Sequence, residues 1–76
     1  MKSEEEVLKA IGERLKAIRI QKGYTSYEAF ALDHDLGRMQ YWRLETGKTN
    51  ITVKTLYKVL EIHEMSFPEF FSTGFD

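Results

Sequence analysis

Three long hydrogen-bonding side chains lie close together near the middle of the chain, on a stretch whose spacing predicts a short helix. Arg38, Gln40 and Arg43 project from one side of that helix, and the apolar Tyr41 and Leu44 fall on the other side. Arginine presents a planar fork of donors, and glutamine offers both a donor and an acceptor. Such a face suits recognition of a partner through hydrogen bonds, while the apolar side anchors the helix in a core.

Two helices joined by a tight turn position this face. Ser26 is a good N-cap for a first helix over about residues 26–34. A turn at residues 35–37 then leads to the second helix, over about residues 38–46. Asp35, in this turn, can adopt the left-handed conformation at some cost. The spacing therefore predicts a helix-turn-helix at about residues 26–46.

A long amphipathic helix precedes this pair. Ser3 can cap its N-terminus, and Glu6, three residues later, completes a capping box. Gly23 supplies a left-handed stop after about residue 22. The apolar residues of this helix recur at helical spacing, and they are Val7, Leu8, Ile11, Leu15 and Ile18.

Two further helices follow a loop at about residues 47–50. Thr52 caps the fourth helix, which ends near His63, and Ser66 with Glu69 forms the capping box of a short fifth helix. The apolar stripe predicted for the fourth helix consists of Val53, Leu56, Val59 and Leu60. Five helices and no strand signal predict an all-α fold.

The composition is that of a small domain without covalent crosslinks. The chain has 76 residues and no cysteine, so no disulfide or thiolate metal site can stabilise it, and the core must come from the 42% of apolar residues. We expect residues 1–76 to form one domain. No apolar run approaches the ~20 residues of a membrane span, so we expect a cytoplasmic protein.

The charge is uneven along the chain. The formal net charge is −1, which is low for a protein that binds nucleic acid. Residues 13–58, however, carry nine Lys and Arg against five Asp and Glu, whereas residues 59–76 carry four acids and no base. A positive face on a nearly neutral molecule is compatible with this pattern.

The joint spacing resembles the phage-repressor-like (Cro/repressor, XRE-type) helix-turn-helix family over about residues 8–71. The matching segments are Ile11–Arg19, Gly23, Ser26 with Phe30–Ala31, Leu36, Arg43–Lys48, Thr52 with Leu56 and Leu60, and Met65–Phe71. The resemblance implies a compact five-helix, lambda-repressor-like DNA-binding domain. It further implies a sequence-specific transcriptional regulator of bacterial or phage type, associated with the nucleoid, which represses by occupying an operator.

By position in the family, Arg38, Met39 and Arg43 fall where relatives contact bases, and Gln40 is exposed beside them. The chemistry of these side chains agrees with that assignment. Arginine can pair with guanine O6 and N7, glutamine can pair with adenine N6 and N7, and methionine can contact a thymine methyl group. The resemblance therefore predicts that these four side chains read the major groove.

The resemblance also implies contacts to the phosphate backbone. The residues at these positions are Tyr27, Thr46, Lys48, Thr49 and Asn50. In the family, the residues at the positions of Arg19 and Glu45 commonly form a structural salt bridge between the first helix and the recognition helix.

The chain departs from the family pattern at several positions. Tyr27 replaces the usual glutamine, Asp35 replaces the usual glycine of the turn, and Trp42 is bulkier than the small residue that is often present. Gly23 and Ser26 are also one residue further apart than is common. These departures bear on how closely the second helix of the pair can approach a groove.

The sequence is also compatible with a second class of function. The same fold serves protein-interaction modules, such as the antitoxin partner of a toxin, and fold alone does not give function. A homodimer is open too, because Phe67, Phe70, Phe71 and Phe75 are concentrated near the C-terminus. The sequence shows no catalytic constellation, and His34 and His63 lie far apart, so we expect no enzyme, cofactor or metal site.

Overall fold

The computed structural model describes residues 3–75, and over that range the chain forms five helices and no strand. The radius of gyration of the Cα atoms is 11.6 Å. The predicted all-α fold class is therefore confirmed. In chain order the helices are α1 (Glu4–Gln21), α2 (Tyr27–Asp33), α3 (Arg38–Glu45), α4 (Val53–Ile62) and α5 (Phe67–Phe71). In this part of the chain no helix is both long and apolar enough to cross a membrane.

Most of the helices begin at the serine or threonine N-caps that were predicted from the sequence. The Ser3 hydroxyl accepts from the Glu6 backbone N–H, and the Ser66 hydroxyl accepts from that of Glu69 in a second capping box. Ser26 caps α2 in the same way. The N-cap of α3 is Gly37, which has no side chain to offer. Helix α3 therefore depends more than the others on what packs against it.

All five helices contribute side chains to the core. Its buried side chains are Ile11, Leu15, Ile18, Phe30, Ala31, Tyr41, Leu56, Val59, Leu60 and Phe70. One prediction for α4 is wrong, because Val53 is 74% exposed and lies outside the core. Val53 is in the first turn and shares an edge of α4 with Tyr57, four residues later, which is also exposed. No helix of the described part of the chain covers that edge.

The C-terminal aromatic residues mostly close the core. Phe70 is fully buried, Phe67 and Phe75 pack partly buried against the core, and Phe71 stays 40% exposed. Arg14 of α1 ties this end to the rest, since its Nε donates to the Phe70 carbonyl oxygen at 3.0 Å.

Helices α1 and α3 approach each other at backbone distance. A Cβ atom at Gly12 would overlap the Glu45 carbonyl oxygen and lie 2.7 Å from that of Leu44. A Cβ atom at Gly47, which follows α3 with a φ of 70°, would lie 2.9 Å from the Cα atom of Lys9. Glycine is therefore required at Gly12 for steric reasons, although it weakens an isolated helix.

The buried ring of Phe30 is surrounded by other rings. His63 stacks on it with ring centroids 5.3 Å apart, and His34 lies 4.7 Å away on another side. Burial, together with the charges of Lys22 and His34, lowers the pKa of His63 to about 4. The folded protein therefore keeps the His63 imidazole neutral at physiological pH.

We expect Gly12→Ala to lower the free energy of unfolding by about 1–3 kcal/mol, because the added methyl group must push α1 and α3 apart. Gly37→Ala is the matched control. Gly37 has a φ of −62°, and its added methyl group would meet only the flexible end of Gln40, so its cost should stay within about 1 kcal/mol. Urea unfolding of both variants measures this difference, and equal costs would contradict the steric argument.

We also expect stability to fall as the pH drops from 6.5 towards about 4. In this window His63 is protonated in the unfolded chain but neutral in the folded protein. The unfolded state therefore binds more protons, and the free energy of unfolding rises with pH.

Urea unfolding at a series of pH values tests this dependence. His63→Gln cannot titrate, so it should flatten the upper part of the window, where carboxylates are still ionised. An unchanged slope in that variant would assign the effect to other groups.

Candidate nucleic-acid interface

The turn between α2 and α3 fixes the direction of α3. Asp35 has a φ of 54°, in the left-handed region, as predicted for this position. The next residue, Leu36, donates its N–H to the Ala31 carbonyl oxygen at 2.8 Å and packs partly buried against the core. The Tyr41 N–H bonds the Gly37 carbonyl oxygen at 2.8 Å, which starts α3. The two helices are therefore joined without a flexible linker.

The two sides of α3 differ as the sequence predicts. Tyr41 is 1% exposed, and burial raises the pKa of its hydroxyl well above the usual value. Leu44 packs partly buried against the core. The outward side carries exposed Arg38, Met39, Gln40 and Arg43. The four side chains predicted to contact bases thus lie on the open surface of one helix.

These four side chains do not form one cluster, because Arg38 and Gln40 lie at different edges of α3. Arg38 Nη1 lies 3.5 Å from Glu28 Oε2 of α2, an exposed ion pair that sequence reasoning missed. Gln40 lies on the other edge of α3, where it lines a cavity of about 300 Å³ with Arg43 and Thr49. Arg38 thus lies on the α2 side of α3, and Gln40 with Arg43 lies on the side of the loop.

The residues predicted to contact phosphate lie at both ends of this surface. Tyr27 is the first residue of α2 and is half-buried. Lys48 and Asn50 are exposed in the loop after α3, and Thr49 is half-buried. Thr46 differs from them, because its hydroxyl already donates to the Trp42 carbonyl oxygen at 2.9 Å. A phosphate oxygen only accepts, so Thr46 is the least suited of the five.

Trp42 is half-buried and has a charged neighbour. The Lys48 ammonium lies 5.5 Å from the centre of its ring, within the range of a cation–π contact. This contact holds Lys48 beside α3. The family pattern gave no signal for it, because a small residue is common at the position of Trp42.

A buried ion pair holds α3 against α1. Arg19 Nε lies 2.7 Å from Glu45 Oε2, and Arg19 Nη2 lies 3.1 Å from Glu45 Oε1. The two side chains are only 4% and 6% exposed. Arg19 also donates to the Tyr24 carbonyl oxygen at 2.8 Å. The hydrogen bond to Glu45 raises the pKa of Arg19 further, so Arg19 stays charged.

Two acidic residues, Asp33 and Asp35, lie at or beside the turn between α2 and α3. Tyr24 donates its hydroxyl proton to Asp33 Oδ2 at 2.8 Å, which raises the pKa of Tyr24 and pairs Asp33 with the loop between α1 and α2. Asp35 is exposed at the turn. Within residues 3–75 no group of three acidic, histidine or cysteine side chains could hold a metal ion.

Sequence reasoning did not connect α1 with this surface. Lys9 and Lys16 of α1 line one side of a groove, and Tyr27 and Trp42 line the other. The available signal was the spacing of the two lysines, because residues seven apart share one face of a helix.

Replacing Arg19 by Met should lower the free energy of unfolding by about 3–5 kcal/mol, because the Glu45 carboxylate is left buried without a partner. Glu28→Gln is the control. It removes the exposed partner of Arg38 and should cost no more than about 1 kcal/mol. Thermal and urea unfolding give both values, and a small effect of Arg19→Met would show that water reaches Glu45.

Comparisons with known proteins agree with this architecture. The family model described as helix-turn-helix matches residues 15–70, which include α2, the turn and α3. A curated relative, control protein C.MunI from Mycoplasma sp, is 36% identical over 61 residues, which cover 80% of this chain and 82% of the relative. The family predicted from the sequence is thereby confirmed. The chain belongs to the helix-turn-helix family, and it is a DNA-binding transcriptional regulator.

Proposed function

We propose that the protein is a sequence-specific repressor that reads the major groove of duplex DNA with α3. The observation that carries the proposal is the pair Arg38 and Arg43, which are both exposed on the outward side of a helix whose inner side is buried. Arginine is the residue that most often makes specific contacts, through paired bonds to guanine O6 and N7. Such a helix enters the major groove with its N-terminal residues on the base edges.

The individual roles follow from position and chemistry. Arg38, at the N-terminus of α3, contacts a base near the centre of the groove, and Met39 beside it offers an apolar contact to a thymine methyl group. Gln40 and Arg43 contact bases or sugars on the side of the loop. Glu28 is a competing partner for Arg38, so its carboxylate must release the guanidinium or share it when a base is bound.

The phosphate contacts set the register of the complex. Lys48, Thr49 and Asn50 follow α3, and Tyr27 begins α2, which supports contacts to the backbone on either side of the groove. Such contacts carry no sequence information, but they fix the orientation of the protein. The near-neutral net charge is consistent with this role, because the positive charges are concentrated in residues 13–58, which carry nine Lys and Arg against five Asp and Glu.

Repression would follow from occupancy. A bound protein of this size covers its operator and excludes other proteins from the same DNA. The relative's name, control protein, supports a regulatory role. A homodimer would favour a near-palindrome whose half-sites lie about 34–36 Å apart.

Titration onto duplex DNA tests the proposal. The operator is first isolated from random duplexes and from DNA upstream of the reading frame. We expect Arg38→Ala and Arg43→Ala each to weaken binding to it by about 5- to 150-fold, the equivalent of ~1–3 kcal/mol per lost base pair contact. Binding to an unrelated duplex should change much less.

Lys22→Ala is the control, since Lys22 lies beside His63 and Met65, at a different part of the surface. It should bind the operator like the unaltered protein. The affinity should also fall steeply as salt is added, and the titration endpoint gives one or two protomers per site. Weak, salt-independent binding that is equal in all variants would reject the proposal and favour a protein-interaction module.

A further inference from the structure

Met39 is an exposed, sulfur-containing side chain on the outward side of α3. It is the second residue of that helix and is 51% exposed. The chain has three methionines and no cysteine. Met1 lies outside the described residues, and Met65 is half-buried and packs against the core. Within residues 3–75, Met39 is therefore the sulfur side chain that a dissolved oxidant reaches most readily.

Oxidation changes the chemistry of this side chain. The thioether of methionine is apolar and accepts hydrogen bonds only weakly, whereas its sulfoxide is polar and chiral. The proposed contact between Met39 and a thymine methyl group depends on the apolar form. A sulfoxide oxygen at that contact would lose its bound water and gain no donor, because a methyl group cannot replace the lost hydrogen bond.

Arg43 is the reading side chain that the oxidised Met39 can capture. It lies four residues after Met39, so the two side chains project from the same edge of α3. Arg43 is exposed, and within residues 3–75 it makes no ion pair. A guanidinium group carries only donors, and a sulfoxide oxygen accepts. The oxidised side chain can therefore hold Arg43 away from the base edges.

We propose that Met39 is a reversible oxidation site that lowers the affinity of the protein for its operator. The oxidant is hydrogen peroxide. The Met39 sulfur attacks one peroxide oxygen, and an S–O bond forms as the O–O bond breaks. The sulfur loses two electrons, and the leaving oxygen takes the proton of the transferred oxygen and departs as water. Methionine sulfoxide reductases, supplied with a dithiol as reductant, restore the thioether. This inference rests on the proposed function.

Peroxide treatment of the free protein tests the site without DNA. Mass analysis of proteolytic peptides gives the oxidised fraction of each methionine separately. We expect Met39 to be oxidised several-fold faster than Met65, because the rate follows the exposure of the sulfur. Equal rates at the two positions of the folded protein would reject Met39 as the preferred site.

Titration of the operator before and after oxidation tests the consequence. Oxidation should weaken binding by the unaltered protein at least about fivefold, the equivalent of one impaired base contact, and reductase treatment should restore it. Met39→Leu keeps an apolar side chain without sulfur, so peroxide should leave its affinity unchanged. Met65→Leu is the matched control and should lose affinity as the unaltered protein does. Its urea midpoint should not change on oxidation, which separates a lost contact from unfolding.

The variant Arg43→Ala tests the capture of Arg43. Oxidation should cost this variant less affinity than it costs the unaltered protein, because the contribution of Arg43 is already absent. An equal cost in both proteins would reject the capture.

The outcomes separate this proposal from the proposed function. If complete oxidation of Met39 leaves the operator affinity unchanged, or if Met39→Leu loses as much affinity as the unaltered protein, the oxidation proposal is rejected. Base reading by Arg38 then stands if Arg38→Ala still abolishes the preference for the operator. If the unoxidised, unaltered protein does not prefer the operator to an arbitrary duplex, both proposals are rejected.

Discussion

The contact between α1 and α3 is the constraint on which the rest of the structure depends. Helix α3 has eight residues and no side-chain N-cap, so it would not be stable by itself. It is held because Gly12 allows the backbones to approach and because Glu45 meets Arg19 in a buried ion pair. Both devices act on the C-terminal end of α3. The N-terminal end, with Arg38, is set by the turn.

This arrangement separates anchoring from recognition along one short helix. The anchoring groups are Tyr41, Leu44 and Glu45, which face the core or α1. Among residues 3–75 the outward groups make one ion pair, between Arg38 and Glu28, and it is exposed. Exposed pairs contribute little stability. The side chains that face a partner are thus held weakly, while the backbone that carries them is held firmly.

Local features of the fold could be predicted from the sequence because their causes are local. Ser3, Ser26, Thr52 and Ser66 cap helices through backbone groups two or three residues away, so short sequence patterns contain the whole interaction. The left-handed conformation of Asp35 was expected because the family usually has glycine at this position and aspartate tolerates the same conformation. The ion pair between Arg19 and a carboxylate 26 residues away was expected only from the family resemblance.

The remaining features depend on packing between distant segments. Val53 fits the apolar pattern of α4, but its exposure is decided by where the core ends. From the sequence alone, Gly12 is expected to weaken α1. Its steric role depends on the close approach of α3, which the sequence does not show. In the sequence, Lys9 and Lys16 are typical of a solvent-exposed helix face. Only the folded structure shows that Trp42 lines the opposite side of the same groove. The candidate site was therefore predictable on α3 and not on α1.

The position of Glu45 at the end of α3 has a consequence for how this protein can change over time. A mutation at an outward position of α3 leaves the anchoring pair and the close approach at Gly12 in place. Such mutations can accumulate with little loss of stability, since exposed substitutions usually change it by no more than about 0.5 kcal/mol. Gene duplication followed by drift at these few positions would yield regulators with new target sites on an unchanged framework.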